Sequence, residues 1–347
     1  MKTLQLLFYI CFTSILFAQQ PYYNDVNLTL TGEALYNELQ DKIDINNNSI
    51  TYGDVRDTVK ITDEDPNNNQ NVLLVYGYNN SSCIPQRSRD KDDFGGSVCE
   101  YNREHVFARS NANPPMGDTS NSNTGITADP HNLRPSDQQM NGNRNNKKFA
   151  TGSGNAGDVG SGNWYPGDEW KGDVARMMMY MYTRYGDRCL PSLNGAGATE
   201  GSTNMLQIYL QWNVEDPVDP TFEDQRNDYL ETVYGNRNPF IDNPYLATLI
   251  WGGEPAEDRW NTFGITDNTS TTFTVYPNPS TETIWVSTNS NASNISAIMY
   301  TISGVEVKRF NNLTNTKHMD VSSLSAGVYL LTLKDASTTS TKRIVVK

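Results

Sequence analysis

The chain has 347 residues, a length that suggests about two domains. Its formal net charge of −13 argues against a protein that coats polyanions indiscriminately, so any polyanion has to be met by a local patch. After the N-terminal stretch no apolar run approaches the roughly 20 residues that a membrane helix needs, and the mature chain is expected to be soluble.

The N-terminus reads Met1-Lys2, an apolar stretch from Leu4 to Phe17 and then Ala18-Gln19-Gln20. A charged start, an apolar centre and a small residue near the end form the pattern of an export signal, expected to span residues 1–19. Of the four cysteines, Cys11 leaves with that segment. Cys83, Cys99 and Cys189 remain in an oxidising setting where a disulfide persists. Pairing Cys83 with Cys99 closes a short loop over the Asp/Gly-rich stretch from Asp90 to Gly96 and steadies the strand that follows, with Cys189 left as a buried thiol. Spacing alone does not fix the connectivity.

The first domain, residues 20–263, mixes two periodicities and predicts an α+β fold. Leu35, Leu39 and Ile43 recur at helical spacing within Gly32 to Ile43; Val72 to Tyr76 has the composition of a buried strand; Val174 to Tyr185 is a helix apolar on nearly every side and therefore a core element. A further helix is expected over Asp224 to Tyr234. Residues 264–272 form a polar linker without apolar periodicity. From Phe273 to Lys347 short alternating runs (Thr283 to Ser287, Ser296 to Tyr300, Val328 to Leu333, Arg343 to Val346) are separated by Asn, Ser and Gly, as in a small all-β, immunoglobulin-like sandwich. Only one aromatic there, Trp285, is placed in a strand to stack on a sugar, the alternative use of such a module.

Within the first domain the chemistry gathers between Tyr101 and Ala150, where six basic residues face four acidic ones in an otherwise acidic chain. There are three histidines and His318 lies in the second domain, which excludes a three-histidine zinc site. A zinc site of His105, His131 and Glu104 is disfavoured, because neighbours on a strand point to opposite faces. Division of labour fits better: His105 takes a proton from water, while the Glu104 carboxylate and the Asn132 amide oxygen hold a hard divalent cation. His131 then fixes the turn that presents Asn132. Ser136 is a candidate N-cap for a helix running toward Phe149, so that a strand with Glu104-His105, a second strand ending at His131-Asn132, and this helix make a ββα unit. The acidic run Asp90 to Gly95 lacks calcium-loop ligand spacing and is expected to be a solvated turn.

The ordered set Asn102-Arg103-Glu104-His105-Val106, Asp129-x-His131-Asn132-Leu133-x-Pro135, Asn141-x-x-Arg144-x-Asn146-x-x-Phe149, Lys171-Gly172-Asp173-Val174-Ala175-Arg176 and Gly235-Asn236-Arg237-Asn238-Pro239-Phe240-Ile241-Asp242 resembles the endonuclease I family of secreted bacterial nucleases, with its ββα-metal (His-Me) finger. The resemblance implies a secreted, sequence-non-specific endonuclease acting on DNA, RNA or both. His105 is then its general base, Glu104 and Asn132 its ligands for one Mg²⁺ ion (Mn²⁺ or Ca²⁺ as substitutes). One of Arg109, Arg134 and Arg144 would assist the scissile phosphate, although Arg144 and Arg237 also suit buried hydrogen-bond hubs. A nucleic-acid-binding protein on a catalytically degenerate finger is the alternative. Val275-Tyr276-Pro277-Asn278-Pro279-Ser280, Leu324-Ser325-Ala326-Gly327-Val328-Tyr329 and the terminal Lys342 to Lys347 resemble the sorting domain read by the type IX secretion machinery of Gram-negative bacteria, which implies a secreted or cell-surface protein.

Overall fold

The computed structural model describes residues 21–45, 48–81, 83–260, 273–288, 295–301, 304–313, 316–334 and 339–347. The expected export signal and the expected linker both lie outside these residues. Two compact units divide the chain between residues 262 and 263.

The first unit is built around the helix Lys171–Tyr185, in which every residue from Gly172 to Arg184 is buried. A helix that is apolar on all sides has no solvent face to offer, and others cover it accordingly. Gly32–Asp44 packs against it and buries Leu35, Leu39 and Ile43, the helical stripe seen in the sequence. The Gln207–Glu215 helix covers another side. The expected helix near Asp224 runs from Glu223 to Tyr234 and ends at Gly235, whose φ of +89° suits a residue without Cβ.

This core is also threaded by buried ion pairs. Arg176 forks onto Glu223 with two contacts of 2.7 Å, Arg134 Nη1 reaches Asp173 at 2.8 Å, and Arg237 forks onto Asp242 at 2.6 and 2.8 Å. The bidentate geometry of the Arg176 and Arg237 pairs helps such charges to be buried, while Arg134 is held by single contacts to Asp173 and Asp63. A Cβ at Gly172 would lie 2.2 Å from the Asp216 carbonyl oxygen, so this close approach needs glycine.

The segment that carries the chemistry is a strand, Tyr101–His105, paired antiparallel with Leu133–Asp137 so that Glu104 faces Arg134 and His105 faces Leu133. A short helix, Gln138–Arg144, follows and packs on both strands. Three details depart from the sequence expectation. His131 and Asn132 lie in a 3₁₀ turn (Pro130–Asn132) capped by Asp129, and the second strand starts after them. The helix is capped by Asp137, whose carboxylate accepts from the Gln139 and Met140 amides, because Ser136 is a strand residue that donates to the Val75 carbonyl. The helix also stops at Arg144, where Asn145 takes a φ of +52°, and Lys148–Phe149 is a strand.

Cys83 and Cys99 form the expected disulfide, with Cα atoms 5.0 Å apart, and Cys189 is a buried thiol. Burial pushes that thiol up to about 12, which keeps it unreactive.

Among the described residues the second unit contains two antiparallel sheets. One orders Thr316–Asp320, Thr283–Thr288 and Phe273–Tyr276; the other orders Glu306–Leu313, Ile295–Thr301, Gly327–Lys334 and Thr339–Val346. Ile284, Val286 and Met319 of the first join Ala297, Met299, Leu331 and Leu333 of the second in one apolar core. On the outer face Trp285 has Tyr276 and His318 directly across from it on either side, so the exposed aromatic is not solitary.

Candidate active site

The loop after the first strand and the short helix enclose a cleft of about 480 Å³ lined by Glu104, His105, Tyr52, Arg103, Arg109 and Asn141, with small and amide-bearing residues completing it. Glu104 and His105 reach it from different surroundings, as their alternation on the strand requires.

Glu104 is buried, and one of its oxygens is held in place. Oε1 accepts from the Tyr76 hydroxyl at 3.1 Å and from Arg144 Nη1 at 3.0 Å. No protein donor reaches Oε2 among the described residues, so this oxygen is offered to the cleft. Burial lifts the carboxyl to about 7, with Arg144 pulling the other way. A carboxylate in this state gains from a positive charge placed against its open oxygen.

His105 Nε2 lies 2.8 Å from the Thr127 carbonyl oxygen. A carbonyl accepts only, so Nε2 carries the proton and Nδ1 is the basic nitrogen. The Tyr52 ring is stacked on the imidazole, with centroids 5.5 Å apart and planes 14° from parallel. Burial pushes the imidazole down to about 3, and Arg109, Arg103 and Arg144 push it the same way, so the ring is neutral at neutral pH.

The other candidates separate cleanly. Asn132 is fully buried behind the strand: its Oδ1 accepts from the Phe107 amide at 2.7 Å and its Nδ2 donates to the Phe107 carbonyl at 3.1 Å. Its amide oxygen accepts from the Phe107 amide, and Asn132 does not line the cleft. Asn141, on the Gln138–Arg144 helix, does line the cleft. Its Nδ2 donates to Asn102 Oδ1 at 2.7 Å, and no protein donor reaches its Oδ1 among the described residues. The sequence held a usable signal: Asn141 and Arg144 are three apart on one helix and so share a face, and Arg144 is the residue that meets Glu104.

Arg134 likewise lies away from the cleft. It is buried between Asp63 and Asp173, with Trp170 and Phe222 against its guanidinium, and does not line the cleft. Arg144 is a hub: it donates to Glu104, to the His105 and Val106 carbonyls and to Asn194 Oδ1, and its Nε is buried with no hydrogen-bond partner among the described residues. Of the three arginines only Arg109 lines the cleft, half-buried and tied to the Gly117 carbonyl. Arg103, which the sequence left without a role, lines it too. His131 is packed on Tyr180, with Nε2 3.0 Å from Asn236 Oδ1, and belongs to the scaffold. No group of three His, Cys, Asp or Glu side chains able to hold a metal occurs among the described residues, so the zinc arrangement of His105, His131 and Glu104 is not assembled.

A neutral buried imidazole with one free nitrogen, a carboxylate with one free oxygen and two arginines on the rim suit a hydrolase of phosphodiesters. The chain belongs to the Endonuclease I family, whose model it matches over residues 31–245, and residues 274–347 match the secretion-system C-terminal sorting domain. It is 40% identical over 236 residues to an extracellular ribonuclease of Bacillus subtilis (strain 168), covering 64% of this chain and 75% of that one. It is 39% identical over 247 residues to the extracellular ribonuclease of Bacillus amyloliquefaciens, covering 67% and 78%. The protein is therefore a nuclease that is secreted or held at the cell surface, and a binding-only role is set aside. No helix among the described residues is long and apolar enough to cross a membrane.

Proposed function

We propose that this is a metal-dependent, sequence-non-specific endonuclease that cuts RNA and DNA, with His105 as general base and Glu104 and Asn141 as the protein ligands of one Mg²⁺. The paired strands and the Gln138–Arg144 helix act as a ββα-metal finger, and the second unit is read as an immunoglobulin-like sandwich addressed to the type IX machinery. The observation that carries the proposal is the carbonyl of Thr127 on Nε2, which leaves Nδ1 of His105 as the one proton acceptor of the ring, on a cleft shared with Glu104.

The donor set suits a hard cation: one carboxylate oxygen and one amide oxygen, with no thiol and no second imidazole. When bound, such an ion offsets negative charge that grows on the phosphate oxygens. Tyr76 and Arg144 hold Glu104 in one orientation, and Asn102 does the same for Asn141. His105 Nδ1 takes the proton of a water aligned behind phosphorus as its oxygen bonds to phosphorus; the P–O bond to the 3′-oxygen breaks, that oxygen keeps the bond pair and takes a proton from solvent to become the 3′-hydroxyl, and the phosphate stays on the 5′ side. Arg109 pairs with a phosphate oxygen and Arg103 adds positive potential at the rim. Contacts made to phosphates carry no base information, which accounts for the lack of sequence preference.

Activity on RNA is favoured by the extracellular ribonucleases among the relatives. The test is digestion of plasmid DNA and of RNA side by side, with Mg²⁺ and with EDTA, followed by end analysis. Cleavage that persists in EDTA, or new ends carrying 3′-phosphate, would remove the mechanism.

A further inference from the structure

Residues 103 and 105 share one face of their strand, and a third side chain enters between them from about fifty residues upstream in sequence. The Arg103 guanidinium lies 3.6 Å from the centroid of the Tyr52 ring, and that ring stacks on His105. Arg103, Tyr52 and His105 therefore form a layered stack on the cleft wall, and all three line the cleft.

Tyr52 is fixed more completely than core packing needs. Thr51 and Asp54 form a reciprocal capping box that sets the start of the helix Tyr52–Thr62. The Tyr52 amide donates to the Asn123 carbonyl at 2.7 Å, and the next amide, of Gly53, donates to the Asn121 carbonyl at 2.8 Å. That approach is close enough that a Cβ at Gly53 would sit 2.9 Å from the Asn121 oxygen. The Tyr52 carbonyl in turn accepts from Arg103 Nη1. Backbone donor, backbone acceptor and one ring face are thus all held, and the remaining face is given to the imidazole.

We propose that Tyr52 is a positioning residue for the general base: its ring, backed by Arg103, sets the plane of the His105 imidazole while the Thr127 carbonyl sets its rotation. A hydrogen bond at Nε2 alone leaves the ring free to tilt about that bond, and a flat surface against its face removes this freedom. Aim matters because proton transfer to Nδ1 falls steeply when the ring is misplaced by as little as an ångström. The inference rests on the reading of His105 as the base.

The experiment measures kcat and KM on a defined oligonucleotide with saturating Mg²⁺ for Tyr52→Phe, Tyr52→Leu, Tyr52→Met and His105→Ala, each with its melting temperature. Phenylalanine keeps the flat face and is expected to stay within about threefold of wild type. Leucine and methionine fill the same apolar slot without a plane, and are expected to lower kcat by roughly tenfold to a hundredfold with KM within about threefold. A purely structural Tyr52 would lower the melting temperature in the Leu and Met variants and leave kcat of the folded enzyme near that of Tyr52→Phe; that result overturns the inference. Equal losses in Phe, Leu and Met would shift the role to the hydroxyl and also overturn it. Leu and Met are measured together so that the folded variant of the two decides. Wild-type turnover in His105→Ala would instead bring down the base assignment itself, and this is distinguishable from failure of Tyr52 alone.

Discussion

The two histidines of the first unit sit in pockets that look alike by most measures and differ in one. Both rings are buried, each has Nε2 against an oxygen acceptor, and desolvation pushes both to about 3. His131 is enclosed, with Tyr180 and Tyr234 rings around it, Asn236 on Nε2 and Asp129 taking its backbone amide. His105 is enclosed on the Tyr52 and Thr127 sides but borders the cleft. Burial and a shifted proton affinity therefore do not tell the two histidines apart. The cleft that His105 borders does, and the proposed role of general base rests on it.

The largest test of this contrast is substitution of each ring. His105→Ala is expected to lower kcat by about 10²–10⁴-fold with little change in thermal stability, whereas His131→Ala should destabilise the fold and leave the turnover of the remaining folded enzyme largely intact. Steady-state rates normalised to folded protein would separate the two, and equal kcat losses would erase the distinction.

The same contrast applies to the asparagines. Removing Asn141 or changing Glu104→Gln should raise the Mg²⁺ concentration for half-maximal rate by roughly 10–100-fold. Asn132→Ala should leave that requirement unchanged and cost about 1–3 kcal/mol of stability through the Phe107 backbone groups left unpaired. A Mg²⁺ titration of the three variants checks this; a shift in Asn132→Ala alone would restore it as a ligand.

Acid stability sharpens the comparison further. Both imidazoles sit near 3 in the folded protein and return toward about 6.5 on unfolding. Between those values the unfolded chain binds more protons, so stability is lost as pH falls through this window, by at most about 1.4 kcal/mol per pH unit for each ring. Glu104 has the opposite sign: raised to about 7 when folded, it costs stability as pH rises through the range from its unfolded value to 7. Urea midpoints between pH 3 and 8 should show both limbs, and His131→Gln should flatten the acid one.

The sequence made the strand with Glu104-His105 and the central helix legible, because each rests on local pattern, whereas the cysteine count left three pairings open and the fold chose Cys83–Cys99. It misplaced what depends on which way a side chain turns. Asn132 and Asn141 are the same residue type in neighbouring motifs, and only the register of the helix against the strand decides which amide opens to the cleft. Arg134 and Arg109 are equally plausible cations in sequence; the first is consumed by Asp63 and Asp173, which lie far from it in the chain. Tyr52 gave no signal, since its meaning comes from a contact made across about fifty residues. Most of the resembling motifs, including those around Asp173, Arg176, Arg237 and Asp242, prove to be buried ion pairs that hold the frame.

The disulfide has a reach that its surface position conceals. Arg89 donates from one nitrogen both to the Cys83 carbonyl and to Asp137, and Asp137 caps the helix whose Asn141 and Arg144 face Glu104. We expect reduction by dithiothreitol to lower activity several-fold before the protein unfolds; unchanged rates would show the relay to be slack. Cytoplasmic thiols keep such bridges open, so the clamp that runs from Cys83 through Arg89 to Asp137 would be closed covalently only after the chain has left the cell.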